Sequence, residues 1–129
     1  MCLHIIIGKP EETSGVGYKA FRFLPDGGIQ GFCYGDDYIL GKSFIAENFN
    51  NRCEGDNEDY KSGFHILSKP ESVKKYLDYQ YEPTTVPENI KIVKVSYSKA
   101  RINGFEQTRG GFTPCIIADE ITLLEIINP

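Results

Sequence analysis

The stretch that decides the fold is GFHILSKPESVKKYLDYQY, residues 63–81, where an extended apolar segment leads directly into a helix pattern. Pro70 suits the first turn of a helix, which does not need its N–H. Ser68 and Glu71 have the S-x-x-E spacing of a capping box. We therefore expect one principal helix from about residue 69 to residue 80.

The apolar residues of this helix fall on one side. Val73, Tyr76 and Leu77 recur at i, i+3 and i+4, which is the spacing of a single stripe on a helix surface. Such a stripe predicts that the helix packs on a sheet through these three side chains.

Extended segments lie on both sides of this passage. We expect strands at Leu3–Ile7, Val16–Leu24, Ile29–Tyr34, Tyr38–Ala46, Ile90–Tyr97, Thr113–Ala118 and Ile121–Ile127. The first is apolar on both faces, which favours a central strand, and the turn sequence PDGG at 25–28 predicts a hairpin. The polar stretch at 47–62 is interpreted as an irregular, solvated loop. Strands, one helix and more strands predict a single α+β domain over residues 1–129, mainly an antiparallel twisted β-sheet with one packed helix.

Composition and charge exclude several classes of protein. The chain has 129 residues, 40% hydrophobic and 25% charged, which is typical of one ordinary globular domain. A net charge of −4 without a cluster of Lys and Arg argues against nucleic-acid binding. No apolar run is long enough to span a membrane, and no signal peptide is recognisable. We therefore expect a cytoplasmic protein with no membrane partner.

The four cysteines have no paired spacing, so we expect neither disulfides nor a metal site. Cys2 has two interpretations. Removal of Met1 would leave its thiol beside a free α-amine, which is a working nucleophile in some hydrolases. Alternatively, MCLHIII is a buried strand that begins with Cys, and this is the interpretation we favour.

The candidate groups for acid–base chemistry are few. His4 and His65 are the only histidines, and both lie in apolar, strand-like surroundings where a structural role is common. Glu120 and Glu125 lie in the late segment ADEITLLEI. If the strands carrying the two histidines are neighbours, both rings can line one cleft.

Three short motifs carry a first resemblance. MCL at the start, GYK at 17–19 and GFH at 63–65, with the closing ADEITLLE, resemble a loose group of small phage and bacterial proteins. The resemblance runs along most of the chain. It implies an accessory protein and no particular reaction.

A second, more distant resemblance is to the ADP-ribosyltransferase superfamily. GFHILSKPESVKKYL is similar to the strand-to-helix passage of those enzymes. The resemblance implies NAD as the cofactor, with His4 on the early strand, Ser68 and His65 in the middle block, and Glu120 or Glu125 on the late strand.

Two functional interpretations remain open. The first is a binding protein without cofactor or catalysis, which engages a host protein or a small ligand. Its candidate contact residues are Tyr18, Tyr34, Tyr38 and Tyr60, since tyrosine is common at recognition surfaces. The second is the transferase, which requires both histidines and a late Glu to meet in one pocket.

Overall fold

The computed structural model describes residues 3–32, 37–47, 50–53 and 58–127, and the side chains of residues 50–53 and 58 are left out of the description. In chain order the elements are β1 (Ile5–Gly8), β2 (Gly15–Phe23), β3 (Ile29–Gly31), β4 (Asp37–Tyr38), β5 (Ser43–Ile45), β6 (Asn50–Cys53), β7 (Glu58–Lys61), β8 (Phe64–Leu67), α1 (Pro70–Tyr81), β9 (Ile90–Thr108) and β10 (Gly111–Ile126). The fold is mostly antiparallel β-sheet with one described helix, as the sequence predicts.

The long hairpin of β9 and β10 is the backbone of the main sheet, whose order is β1-β9-β10-β8-β2-β3-β4 with β5 on β10. Strand β2 also pairs with the first half of β9, from Gly15 opposite Tyr97 to Arg22 opposite Ile90. Because β2 also meets β8, the strands β2, β9, β10 and β8 close into a ring.

The closure depends on a glycine in β2. A Cβ atom on Gly17 would lie 2.8 Å from the carbonyl oxygen of Leu67 and would meet the side chain of Ile66. Real Cβ atoms do not approach a carbonyl oxygen so closely, so only glycine lets β2 cross β8 here.

Apolar side chains pack on both faces of the sheet. On one face α1 covers a cluster that includes Leu67, Ile92 and Ile117. On the other face Phe21, Val95 and Leu123 form a second cluster, against which Tyr38 of β4 and Phe44 of β5 pack. The sheet is therefore buried on both sides over much of its area.

The helix has the predicted extent and the predicted buried face. It covers Pro70–Tyr81, and Val73, Tyr76 and Leu77 are its buried residues. The predicted capping box is wrong, because the N-cap is Lys69 and no side chain caps the helix. Ser68 lies one position too early for its hydroxyl to reach the first turn, so only Pro70 in the first turn agrees with the predicted start.

Several strand predictions need correction. The segment predicted at Tyr38–Ala46 is two short strands, β4 and β5, which pair with β3 and β10, and the strand predicted at Ile90–Tyr97 continues to Thr108. Strand β1 lies at the end of the sheet order and not at its centre, and Ile7 is 59% exposed. The stretch at 47–62 is not wholly irregular, because β6 and β7 form a separate two-stranded hairpin within it. The two late strands, for which we expect a short break or bulge at 119–120, are one strand, β10, whose register shifts at 117–118 and 123–125.

Candidate functional site

The three short sequence motifs meet around β8. Tyr18 of the GYK motif is paired with Leu67, and the ammonium of Lys19 donates a hydrogen bond of 2.6 Å to the carbonyl oxygen of His65. The backbone N–H of Leu3, from the MCL motif, donates a bond of 2.8 Å to the hydroxyl of Tyr60. The Tyr60 hydroxyl in turn lies 3.2 Å from Nε2 of His65 in the GFH motif. We call these residues the β8 junction.

The bonds of the β8 junction fix the tautomer of His65. Its Nδ1 atom lies 3.2 Å from the carbonyl oxygen of Gly63, which can only accept, so Nδ1 carries the proton. Nε2 then accepts from the Tyr60 hydroxyl, whose oxygen accepts from Leu3. All members of this chain are satisfied with a neutral imidazole.

Burial opposes the charged form of the same ring. The side chain of His65 is buried, and this burial, with the nearby positive charge of Lys19, lowers its pKa well below the usual value. A neutral, enclosed imidazole has a structural role in β8, because it is not open to a substrate.

Cys115 lies in the helix-side cluster beside this junction. It is a free and fully buried thiol, and burial raises its pKa strongly above the ordinary value, with the charge of Glu106 acting in the same direction. A thiol that stays protonated is a weak nucleophile, so Cys115 acts as a small apolar side chain.

The residues implied by the transferase resemblance are spread along the sheet. His65 is paired with Ile117 on β10, and Glu120 and Glu125 lie three and eight positions farther on, about 10 Å and about 27 Å away along the strand. Glu120 pairs with Lys99 at 3.4 Å, and Glu125 approaches Lys94 at 4.0 Å.

The remaining two members of that set lie elsewhere again. The backbone N–H of His4 donates to the carbonyl oxygen of Phe105, which is level with Pro114, six residues or about 20 Å before Glu120 on β10. Ser68 is exposed in the short link between β8 and α1. The structure therefore does not bring His4, His65, Ser68 and a late Glu into one pocket.

The tyrosines expected at a contact surface are mostly inward. Tyr60 is 7% exposed and belongs to the β8 junction, so the expectation of surface contact is wrong for this residue. Tyr38 is half-buried, with its ring 4.8 Å from that of Phe44. Tyr18 is half-buried against the helix-side cluster. Cys2 and Tyr34 lie outside the described residues.

A groove runs between α1 and the start of β9, and sequence reasoning did not find it. Its volume is about 720 Å³, within the usual range of ligand sites. Leu77, Ile90 and Ile92 form an apolar floor, and Val86 and Ile127 extend the apolar lining. We call it the helix–strand groove. From Pro70 to Asp78 it follows α1 for about 12 Å, the length of about four extended residues.

The rim of the helix–strand groove is more acidic than basic. Glu71 and Asp78 lie on α1 with Lys74, and Glu88 lies just before β9 with Lys91. The Lys91 ammonium lies 5.6 Å from the centre of the Phe23 ring. The three carboxylates make no ion pair with any residue that the structure describes.

The sequence analysis also missed a half-buried ion pair, because it placed no strand at 98–101. These residues belong to β9, and Arg101 is the extra residue where the register with β10 shifts. Its Nε donates to Asp119 at 2.8 and 2.9 Å, and a terminal nitrogen donates to the carbonyl oxygen of Ser62 at 2.8 Å. Because 18 residues separate Arg101 from Asp119, no local pattern shows the pair.

The described residues include neither a helix that could span a membrane nor a group of possible metal ligands. No helix among them has the length and apolar character needed to cross a bilayer. Likewise, the part of the chain that the structure describes contains no group of three His, Cys, Asp or Glu side chains placed to hold a metal ion.

Neither a protein-family model, nor a curated protein, nor a solved structure matches this chain. The function must therefore be argued from the geometry of the site.

Proposed function

We propose that this chain is a non-catalytic accessory protein that binds a short segment of a partner protein in the helix–strand groove. The observation that carries the proposal is the groove itself, an apolar floor of Leu77, Ile90 and Ile92 under a charged rim. Concave, mostly apolar sites with a few polar groups at the edge are where proteins commonly take ligands.

The rim sets the chemistry of the partner segment. Three carboxylates and two lysines line the rim, and the whole chain has a net charge of −4. Opposite charge on the partner favours association and suppresses competing partners. The segment therefore has one or two large apolar side chains flanked by Lys or Arg.

Two matched synthetic peptides test this proposal. One alternates leucine with lysine, and the other has glutamate in place of each lysine. Isothermal titration calorimetry measures both affinities for the wild-type protein. We expect the lysine peptide to bind at least about tenfold more tightly, a difference of about 1.4 kcal/mol in binding free energy.

Variants locate the binding. Val86→Asp and Ile127→Asp place charge on the apolar lining, and Ile45→Asp places the same charge at a residue that is 75% exposed and does not line the groove. The first two variants should weaken binding of the lysine peptide, and the third should not. Equal binding of both peptides, or equal loss in all three variants, would refute the proposal.

The same reasoning covers domain organisation and location. We propose one domain, supported by the contacts of α1 with β2, β8 and β9 and by the strand ring. A cytoplasmic location and the absence of nucleic-acid partners are proposed from composition and charge.

Thermal-shift measurements separate this proposal from the transferase alternative. A ligand that binds the folded state raises its melting temperature. With saturating NAD we expect no shift, because the residues implied by that resemblance lie apart on the sheet. A clear shift that Glu120→Gln abolishes would favour the transferase.

The nucleophile alternative has its own test. If the Cys2 thiol performs the function, Cys2→Ser abolishes it, whereas on our proposal the variant binds the lysine peptide like the wild type.

A further inference from the structure

In the outer half of the β9–β10 hairpin, residues 103–116, several polar side chains are buried while apolar side chains are exposed. The side chains that face α1 include Glu106, Thr108 and Thr113, which are 5%, 5% and 7% exposed. Thr113 donates a 2.9 Å hydrogen bond to the Ser72 hydroxyl on the helix, and Thr108 donates one of 3.1 Å to the carbonyl oxygen of Gly111, so both hydroxyls are satisfied. Burial alternates along 104–108 and 112–117, so the other side chains of these stretches point away from the helix.

The residues on that opposite face are mostly apolar. Strand pairing places Ile5, Phe105 and Pro114 side by side, and Gln107 beside Phe112. By the same pairing and alternation the face includes Ile5, Asn103, Phe105, Gln107, Phe112, Pro114 and Ile116, and Ile7 joins it at the register shift of β1; we call these eight residues the outer face. At its margin the ring centre of His4 lies 4.9 Å from that of Phe112. Phe112 and Ile7 are 51% and 59% exposed.

The outer face has no charged residue, although a quarter of the chain is charged. Ile7, Phe112 and Pro114 are exposed and the other five residues are half-buried. Contiguous apolar surface that reaches solvent marks an interaction site. It is also self-complementary, because two copies of an uncharged face meet without like-charge repulsion, whereas contact through the rest of two molecules of charge −4 is opposed.

We propose that the outer face is a homodimer interface, in which the outer faces of two copies pack against each other around a twofold axis. The same patch then contacts itself, as an isologous interface requires. The two sheets pack face to face about 10 Å apart, with Phe112 and Ile7 of each copy near the centre.

The size of the outer face sets the strength of the dimer. A stable interface of standard size buries about 800 Å² on each partner and uses about 20–30 residues a side. The outer face supplies eight, so it forms the core of a small interface. We therefore expect a reversible dimer whose population rises with protein concentration.

Sedimentation equilibrium of the full chain tests the proposal. Over concentrations from low micromolar to millimolar, the mean mass should rise from the monomer value of 14.5 kDa toward twice that value. A mass that stays at the monomer value throughout this range would overturn the proposal.

A matched pair of variants tests the location. Phe112→Lys places charge at the centre of the proposed interface, and Val16→Lys does so at a residue of equal exposure, 51%, outside the outer face. We expect Phe112→Lys to weaken dimerisation at least about tenfold while the circular dichroism spectrum is unchanged, and Val16→Lys to dimerise like the wild type. If Phe112→Lys does not fold, Ile7→Lys replaces it.

Two further outcomes contradict the face-to-face arrangement. Pairing of two copies through β1, at the end of the described sheet order, would leave Phe112, two strands away on β10, outside the contact, so dimerisation would survive Phe112→Lys. Loss of dimerisation in Val16→Lys alone would place the interface elsewhere. Peptide binding in the groove is a separate measurement, so the two proposals fail independently.

Discussion

At the scale of single residues, the β8 junction brings together one residue from each of the MCL, GYK and GFH motifs. The contacts join Leu3 to Tyr60, Tyr60 to His65, and Lys19 to the backbone of His65. The bonds of Leu3 and Lys19 join parts of the chain 57 and 46 residues apart, and the contact of Tyr60 with His65 links them within the buried region. Leu3, Lys19 and His65 therefore have a packing explanation.

The Tyr60 hydroxyl should contribute measurably to stability. Tyr60→Phe removes the acceptor of the buried Leu3 N–H, and an unsatisfied buried donor costs about 1–3 kcal/mol. Urea unfolding measures this loss. Tyr79→Phe, on a helix tyrosine that is 37% exposed, is the control and should change stability by less than about 0.5 kcal/mol. Equal effects would contradict the junction.

The neutral state of His65 should make stability depend on pH. Its pKa is lowered in the folded protein by burial and by Lys19, while in the unfolded chain it is about 6.5. Above that value His65 is neutral in both states and its contribution is complete. As the pH falls below about 6.5, the unfolded state binds a proton first, so the free energy of unfolding decreases by up to about 1.4 kcal/mol per pH unit.

Urea unfolding of the wild type and His65→Gln between about pH 7.5 and about pH 5 measures this dependence, because the difference between the two proteins isolates His65 from the other titrating groups. The wild type should lose more stability than the variant. Identical pH profiles would mean that the folded state does not hold the ring neutral.

Gly17 tests the closure of the strand ring. Gly17→Ala brings a Cβ atom to 2.8 Å from the Leu67 carbonyl oxygen, so we expect a loss of about 1–3 kcal/mol, as overpacking produces. The neighbouring exposed residue gives the control, Val16→Ala. Thermal unfolding of both compares them, and a Gly17→Ala protein as stable as the control would contradict the close crossing.

At the scale of elements, the helix is the part best predicted from sequence. Its stripe of Val73, Tyr76 and Leu77 is a local pattern, and the same three side chains are buried in the structure. The position of β1 was not predictable in this way. The sequence LHIII is apolar on both faces, which does not tell a central strand from an edge strand. The strand is at the edge because, among the described strands, it pairs with β9 only.

The β6–β7 hairpin and the helix–strand groove could not be predicted from local sequence patterns either. β6 and β7 are polar and pair with each other outside the main sheet, so they lack the apolar alternation that marks a half-buried strand. The helix–strand groove joins residues on α1 to residues of β9 and Ile127, far apart in the chain. The helix stripe predicted the floor residue Leu77, but nothing local predicted its partners.

The docking of α1 gives the prediction for this scale. Leu77 is 4% exposed, so Leu77→Ala should lower the free energy of unfolding by about 2–5 kcal/mol. Lys75→Ala, on the exposed side of the helix, should change it by less than about 0.5 kcal/mol. Urea unfolding measures both, and a loss below about 1 kcal/mol for Leu77→Ala would contradict the packing.

At the scale of the whole molecule, the proposal of one domain predicts one cooperative unfolding transition. The chain has no Trp, so tyrosine fluorescence reports side-chain packing, and far-ultraviolet circular dichroism reports secondary structure. The urea curves from the two probes should coincide when both are measured at the same protein concentration. Two separated transitions would show that part of the chain unfolds independently.

The two proposed surfaces involve different parts of the chain. The helix–strand groove involves α1, the start of β9 and Ile127, whereas the outer face involves β1 and the far half of the β9–β10 hairpin. A dimer formed through the outer face would thus leave two grooves available. Two linked grooves bind a partner with two suitable segments more tightly than one groove does.

The most direct measurement for the central claim is a titration of the isotopically labelled protein with the lysine peptide, followed by the amide signals in NMR spectra. We predict that the shifted signals include those of Leu77, Val86 and Ile127, and that His65 and Ile45 are unaffected. Shifts confined to residues outside the helix–strand groove, or no shifts at saturating peptide, would contradict partner binding at this site.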